Sequence, residues 1–247
     1  MAVHHRVLIS WSSGKDSAWL LHVLRQRADV DVVGLLTTVN EKFGRVAMHG
    51  VRREVLQAQA QATGLPLWEI PLPWPCSNAD YEQRMNQWLT RAQQAGITAV
   101  AFGDLFLEDV RAYREKQLAA TGIIPMFPLW GKASATAQLA HDMLAAGLQA
   151  VVVCVDPSQL QPPLAWIGRR YDTDFLRELP PHVDPCGERG EFHTLCVAGP
   201  MFRYPLDITL GSVVQRDGFY FVDVQLASPL NNPVFDRSAT ECDNLTR

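Results

Sequence analysis

A run of small and charged residues near the amino terminus, Ser12 to Ser17, has the composition of an anion-binding loop. It follows a short apolar run and opens a helical pattern. Backbone N–H groups at a helix start have no partner within the helix, and together with the positive end of the helix dipole they attract phosphate. Small side chains at Ser12, Ser13 and Gly14 let phosphate oxygens approach the backbone. The loop therefore predicts a phosphate site.

The other side chains of this loop add specific chemistry. Lys15 supplies a mobile positive charge, Asp16 can hold Mg²⁺ or cap the helix, and Ser17 can donate a hydroxyl. A Walker loop would need glycine at Ile9 and Ser or Thr at Asp16, and a dinucleotide fingerprint would need three glycines. The alternative is a plain turn of small residues whose Asp caps the helix.

Residues 12–17, S-S-G-K-D-S, resemble the S-G-G-x-D-S signature of the PP-loop, or N-type, ATP pyrophosphatases of the adenine nucleotide alpha hydrolase superfamily. The resemblance implies that ATP is split between its α and β phosphates, giving an adenylated substrate and pyrophosphate. Ser13 stands where most members have glycine. Because Ser adopts many but not all of the backbone angles of glycine, the local loop geometry stays open.

Two further segments narrow the resemblance to the diphthine–ammonia ligase family. Residues 102–114 begin with Phe-Gly-Asp and continue into a helical pattern with basic residues, and residues 125–130 match a Pro-x-x-P-L-W stretch. Residues 186–194 are similar to the signature C-G-E-x-G-E-[FY]-x-T. The likeness spans residues 6 to about 202, with three motifs in the expected order.

Gly103 and Asp104 follow a predicted strand, at the edge where open α/β sheets bind ligands. Asp104 is predicted to face the nucleotide or its Mg²⁺, with a helix N-cap as the alternative. Arg111 and Arg114 lie three residues apart and therefore on one helix face. They are candidates for binding a phosphate or a substrate carboxylate, with a solvated surface as the alternative.

Two carboxylates, Glu188 and Glu191, flank Gly190 in the third motif. Such a pair could bind ammonia or an amine, or act as general base, and the alternative is a pair of surface charges. His193 is a candidate for substrate binding and proton transfer, or else a half-exposed strand residue. We predict Lys15 and Asp104 as catalytic together with the two glutamates.

Further nucleotide contacts are implied by analogy with related enzymes, which hold adenosine at the end of the second strand. Thr37 and Thr38 end that strand, and Ser12, Thr37 and Met48 are the weaker candidates. His49 precedes two arginines at the start of the second helix, where an anion or nucleotide would be favoured.

Short apolar runs alternate with helical patterns through the first half, which predicts an α/β fold with a parallel sheet covered on both faces. Strands are predicted at 7–9, 32–39, 67–72, 98–102, 123–129 and 150–155. Helices are predicted at 17–25, 51–63, 77–95, 110–120, 135–146 and 172–179. Residues 184–200 are predicted as a loop, and Asp217-Gly218 predicts a hairpin between 208–215 and 219–226.

The resemblance and this pattern together predict a Rossmann-like, HUP-type ATP-binding domain at 1–128, a smaller C-terminal α/β substrate domain at 129–227, and a polar tail at 228–247. The 247 residues carry a net charge of −4, which disfavours nucleic acid as a partner. An amino terminus without an apolar signal segment, no stretch long enough to span a membrane, and five cysteines without a C-x-x-C pair favour a cytoplasmic protein with reduced thiols. The oligomeric state stays open, a homo-oligomer included.

The resemblance implies an ATP- and Mg²⁺-dependent ligase. It would adenylate a carboxylate on a small molecule or a protein and pass the acyl group to ammonia or an amine, forming an amide. If the chain is bacterial, its acceptor differs from the diphthine of the family's named reaction, because bacteria are expected to lack diphthamide. A tRNA-modifying PP-loop enzyme and a non-catalytic nucleotide sensor remain as alternatives.

Overall fold

A computed structural model of the chain describes residues 4–46 and 50–228. The predicted nucleotide contacts Met48 and His49, and the predicted tail beyond Ser228, lie outside the described residues. No helix in the described ranges is long and apolar enough to cross a membrane.

The first half forms a mostly parallel sheet. Its strands are β1 (His5–Ser10), β2 (Val30–Asn40), β3 (Arg45–Val46), β4 (Leu67–Leu72), β5 (Ala99–Ala101) and β6 (Ile124–Met126). The order β3-β2-β1-β5-β6 places β1 in the centre, β4 also pairs with β2, and every pairing except β2 with β3 is parallel. The predicted Rossmann-like α/β architecture is confirmed.

Helices connect these strands and cover the sheet. They are α1 (Lys15–Arg25), α2 (Arg53–Thr63), α3 (Asn78–Gln94) and α4 (Glu108–Leu118). The leucines of α1 at 20, 21 and 24 are fully buried, and each buried leucine contributes about 1.5–3 kcal/mol of hydrophobic stabilisation. Gly64 ends α2 in the left-handed conformation, and Ser77 forms a capping box with Asp80 at the start of α3.

The second half forms an antiparallel sheet with two helices, α5 (Thr136–Ala145) and α6 (Thr173–Glu178). Its strands are β7 (Gln149–Val155), β8 (Arg170–Tyr171), β9 (Phe192–Ala198), β10 (Ile208–Arg216) and β11 (Phe219–Leu226). The predicted loop at 184–200 is wrong in part, because β9 pairs with β7 along most of its length. Phe192, Thr194, Leu195 and Cys196 are buried there, so tertiary packing outweighs the glycines and charges that precede them.

The hairpin of β10 and β11 joins the two halves of the chain. Its turn at Asp217-Gly218 is as predicted, and β11 pairs with β7 through Phe221 and Cys154. The carboxylate of Asp223 on β11 accepts hydrogen bonds from Arg45 at 2.8 Å and from Arg52 at 2.7 Å, both in the first half. The hydrogen bond from Arg52 is the main cause that lowers the pKa of Asp223 far below its ordinary value.

Candidate active site

The phosphate loop, residues 12–17, connects β1 to α1 at the carboxyl edge of the parallel sheet. The N–H of Gly14 donates to the Ser12 hydroxyl at 3.2 Å, and the Ser17 hydroxyl donates to the Gly14 carbonyl at 3.0 Å. Gly103, at the end of β5, packs directly on this loop: a Cβ there would lie 3.3 Å from the Ser17 nitrogen and from the Asp16 carbonyl carbon. Glycine at 103 therefore lets the ends of β1 and β5 approach one another.

Ser13 occupies the one loop position that departs from the family signature, and its backbone is left-handed, with φ 73°. That region favours glycine, and a non-glycine residue there costs on the order of 1 kcal/mol or more. The side chain is fully buried, and its hydroxyl has no hydrogen-bond partner among the described residues. Its carbonyl accepts from the N–H of Cys196, which ties the strained turn to β9.

Lys15 is buried and fixed rather than mobile, in contrast to the expectation from sequence. Its ammonium donates to both carboxylate oxygens of Asp16 at 2.9 Å and to the carbonyl of Cys186, and it lies 5.4 Å from the ring centre of Tyr171. Burial alone would lower the pKa of Lys15, but the Asp16 carboxylate and neighbouring groups outweigh it, and the net pKa is raised. Its backbone N–H donates to the Thr194 hydroxyl of β9 at 3.1 Å.

Gln59 on α2 is a site-supporting residue that the sequence did not indicate, since it looks like one more polar residue of an Ala- and Gln-rich helix. It is fully buried. Its amide nitrogen donates to the carbonyls of Ser13 and Cys196 at 3.0 and 2.7 Å, and its amide oxygen accepts from the Trp11 indole at 3.0 Å. One side chain thus joins the phosphate loop, α2 and β9.

We expect Gln59→Leu to lower the free energy of unfolding by about 2–4 kcal/mol, because the indole of Trp11 and the carbonyl of Cys196 lose a buried hydrogen-bond partner. Urea unfolding measures the change. Gln61→Leu, on an exposed position of the same helix, is the matched control and should stay within about 0.5 kcal/mol of wild type. Equal stability of the two variants would contradict this role of Gln59.

Asp104 and Arg114 form a long ion pair beside the loop. The Arg114 Nε and the Asp104 Oδ2 are 3.6 Å apart, too far for a hydrogen bond, and both atoms are buried without a hydrogen-bond partner among the described residues. Burial raises the pKa of Asp104, and the Arg114 guanidinium offsets only part of that rise. Buried polar atoms left without partners are typical of a site that a ligand completes.

Arg111 lies three residues before Arg114 on the same helix. It donates to Glu115 at 2.8 Å and stacks on Phe127 and Trp130 of the Pro-x-x-P-L-W stretch, with its guanidinium 5.0 and 4.8 Å from the ring centres. Arg114 therefore faces the site, whereas Arg111 packs on the motif that follows.

The two glutamates of the third motif have different surroundings. One oxygen of Glu188 accepts from the backbone N–H of Leu105 at 2.7 Å, which brings this carboxylate of the second half to the end of β5. Burial raises the pKa of Glu188 to about 7, and the nearby carboxylates of Asp16 and Asp104 add to the rise. This pKa suits a general base at neutral pH.

Glu191, by contrast, is fully buried and stabilises its own loop. Its two oxygens accept from the backbone N–H groups of Asp184 and Arg189, each at 2.9 Å. A catalytic role for Glu191 stays a prediction, and its geometry is that of a positioning residue. Burial raises the pKa of the neighbouring Cys186 thiol to about 12, which keeps it protonated and disfavours a nucleophilic role.

A cavity of about 360 Å³ opens beside the phosphate loop. Of the residues predicted to bind nucleotide or substrate, it is lined by Ser12, Thr37, Thr38 and Arg114. Aromatic side chains complete its walls, among them Trp88 and Phe102. The Thr37 hydroxyl donates to the Trp11 carbonyl at 2.5 Å, so Thr37 shapes the wall rather than offering its proton to a ligand. We call this the first cavity.

His193 lies apart from this cavity, on β9. Burial lowers the pKa of His193 to about 4, with the Lys15 charge as a smaller cause, so its imidazole is neutral at physiological pH. Transfer of a proton by this residue stays a prediction.

The carboxylates at the loop have the chemistry that Mg²⁺ prefers. No group of three ligating side chains among the described residues is close enough to hold a metal ion by itself. The Asp104 oxygen that accepts no hydrogen bond among the described residues and the partly exposed carboxylate of Asp16 fit an ion bound through one or two carboxylates, water and phosphate oxygens. This is the usual arrangement for Mg²⁺.

Two family models match the chain. A model of the diphthamide synthase N-terminal domain matches residues 5–124, and a model of the diphthamide synthase C-terminal domain matches residues 135–226. No curated protein sequence matches the chain. The matched ranges cover most of the chain and contain the phosphate loop, Asp104 and Glu188.

Proposed function

The chain belongs to the diphthamide synthase family, and we propose that it is an ATP-dependent ligase that cleaves ATP to AMP and pyrophosphate and forms an amide from a carboxylate and ammonia or an amine. The observation that carries this proposal is that a carboxylate of the C-terminal half lies beside the phosphate loop of the N-terminal half. Glu188, from the C-terminal half, reaches the carboxyl edge of the parallel sheet through Leu105, beside the phosphate loop. A nucleotide site alone would not require this carboxylate.

In this proposal each half of the chain has its own role. Residues 1–128 bind the nucleotide, with adenosine in the first cavity and the phosphates at the loop, and residues 129–227 supply Glu188. Bound Mg²⁺, held by Asp16 and Asp104, would neutralise charge on the phosphates. Arg114 orients a phosphate or the acceptor carboxylate through its Nε, which makes no hydrogen bond among the described residues.

Two steps complete the reaction. A carboxylate oxygen of the acceptor attacks the α phosphorus, the bond to the β phosphate breaks, and pyrophosphate leaves with the electron pair. The nitrogen lone pair then attacks the acyl carbon, AMP leaves, and Glu188 takes a proton from the nitrogen as general base.

Product analysis tests this mechanism. We expect the full chain, given ATP, Mg²⁺, ammonium and a panel of carboxylic acids, to release AMP and pyrophosphate in equal amounts. Asp104→Asn should lower the rate at least about tenfold, because it removes the negative charge from one proposed ligand of the ion. The exposed Asp109→Asn on the same segment is the control. Release of ADP and phosphate would contradict the proposal, as would bound ATP that is never cleaved with any acceptor.

A further inference from the structure

A second cavity, of about 470 Å³, lies beside the first and is lined by residues from both halves of the chain. Its lining is mostly apolar and includes two aromatic pairs, Phe43 with Trp74 and, on the hairpin, Phe219 with Phe221. A cavity of this size, apolar and placed between two units, is the usual form of a small-molecule site. The sequence did not indicate it, because its aromatic residues are far apart in the chain.

One charged group in the second cavity is suited to a ligand. Arg45 is already used, since it donates to the Gly50 carbonyl at 2.7 Å and to Asp223 at 2.8 Å. Arg216 stacks on Phe221, 4.9 Å from the ring centre, and its ion pair with Asp217 is 3.8 Å long and largely exposed. Exposed pairs of this kind contribute little, so the Arg216 guanidinium can pair with an anionic ligand at small cost.

The second cavity adjoins the first cavity. Val46 and Leu72 line both cavities. On β9, His193 lines the second cavity, whereas the next residue, Thr194, binds the backbone of Lys15. Because consecutive residues of a strand point to opposite faces, β9 separates the second cavity from the phosphate loop by the thickness of one strand.

Building on the proposed ligase function, we infer that the second cavity binds the acceptor, and that the acceptor is a ring-bearing organic acid with a second anionic group. The ring packs between the aromatic walls, the second anionic group pairs with Arg216, and the carboxylate to be activated lies toward the first cavity. Stacking on aromatic walls favours a planar ring over a flexible chain, and the guanidinium favours an anion over a neutral or cationic ligand.

Calorimetric titration of the full chain without ATP tests this inference. The probes are 2-naphthoate, its neutral analogue 2-naphthalenemethanol, and octanoate, which has the charge but no ring. We expect 2-naphthoate to bind at least about tenfold more tightly than either analogue. Arg216→Gln should remove most of the preference for the anion, and Trp74→Ala should weaken both ring probes. Both side chains are about half exposed, so neither change threatens the fold.

Matched controls are Arg177→Gln and Tyr204→Ala, at exposed positions outside the cavity lining, and both should bind 2-naphthoate like wild type. Octanoate binding as tightly as 2-naphthoate would overturn the ring requirement, and equal binding of the neutral analogue would overturn the role of Arg216. If AMP and pyrophosphate form but 2-naphthoate does not bind at millimolar concentration, the inferred acceptor site is contradicted, whereas the proposed ligase activity is supported. If 2-naphthoate binds as expected but ATP yields ADP, the proposed ligase activity is contradicted, whereas binding of a ring-bearing anion in the second cavity is supported.

Discussion

Lys15→Met should lower the free energy of unfolding by about 3 kcal/mol and the rate of AMP formation by about a hundredfold or more. The change leaves the Asp16 carboxylate without its cation, near the carboxylates of Asp104 and Glu188. Removing one partner of a buried pair costs about 3–5 kcal/mol, and the lower end applies because the Asp16 side chain is 27 % exposed. Chemical unfolding and a pyrophosphate-release assay measure the two effects.

A second substitution separates the loss of stability from the loss of activity. In the double variant Lys15→Met with Asp16→Asn, both charges of the buried pair are removed. Most of the lost stability should therefore return, while activity should stay low. The exposed Lys116→Met controls for the change of residue type and should resemble wild type in both assays. A double variant that recovers turnover together with stability would mean that Lys15 only maintains the fold.

Much of the fold could be predicted because local signals and tertiary packing agree. Short apolar runs such as Val7 to Ile9 mark the strands of the first half. Gly64 supplies the left-handed residue that ends α2, and Asp217-Gly218 supplies the hairpin turn. The strand β9 could not be predicted, because its pairing with β7 decides it and the preceding glycines favour a loop.

The composition of the site could be predicted better than its geometry. Residue type, spacing and the family resemblance point to the loop, Asp104 and Glu188 as candidates, but spacing alone does not tell which of the two glutamates reaches the end of β5. Glu191 turns to its own backbone, and only the folded loop shows this. Gln59 could not be predicted, because its role depends on its burial against the phosphate loop and β9. The sequence gives no sign that this polar residue of α2 is buried.

Unlike Lys15→Met, which should lower both stability and activity, Glu188→Gln should stabilise the protein above pH 7. It should still lower turnover by about 10²- to 10⁴-fold. The amide oxygen of Gln can still accept the hydrogen bond from Leu105, so the fold is kept. The pKa of Glu188 is about 7 when folded, against 4.5 for the ordinary group. Between these pH values the folded state binds more protons than the unfolded state, so this group's contribution to stability falls as the pH rises.

The variant should therefore equal wild type in stability below about pH 4.5, gain on it up to pH 7, and level off at an advantage of about 3 kcal/mol. Wild-type kcat/KM should rise with pH through about 7, and the variant should lose this rise, since no base remains to titrate. Urea unfolding without nucleotide and a pH profile of pyrophosphate release measure the two effects.

Glu191→Gln is the matched comparison in the same loop, and it should lower the free energy of unfolding where Glu188→Gln raises it. Its amide nitrogen would face the N–H of Arg189 or of Asp184, so two donors would meet where a carboxylate now accepts both. We expect a loss of about 1–3 kcal/mol at neutral pH, because a buried donor is left unsatisfied. If Glu191→Gln instead kept wild-type stability and abolished turnover, while Glu188→Gln stayed active, the general base would be Glu191.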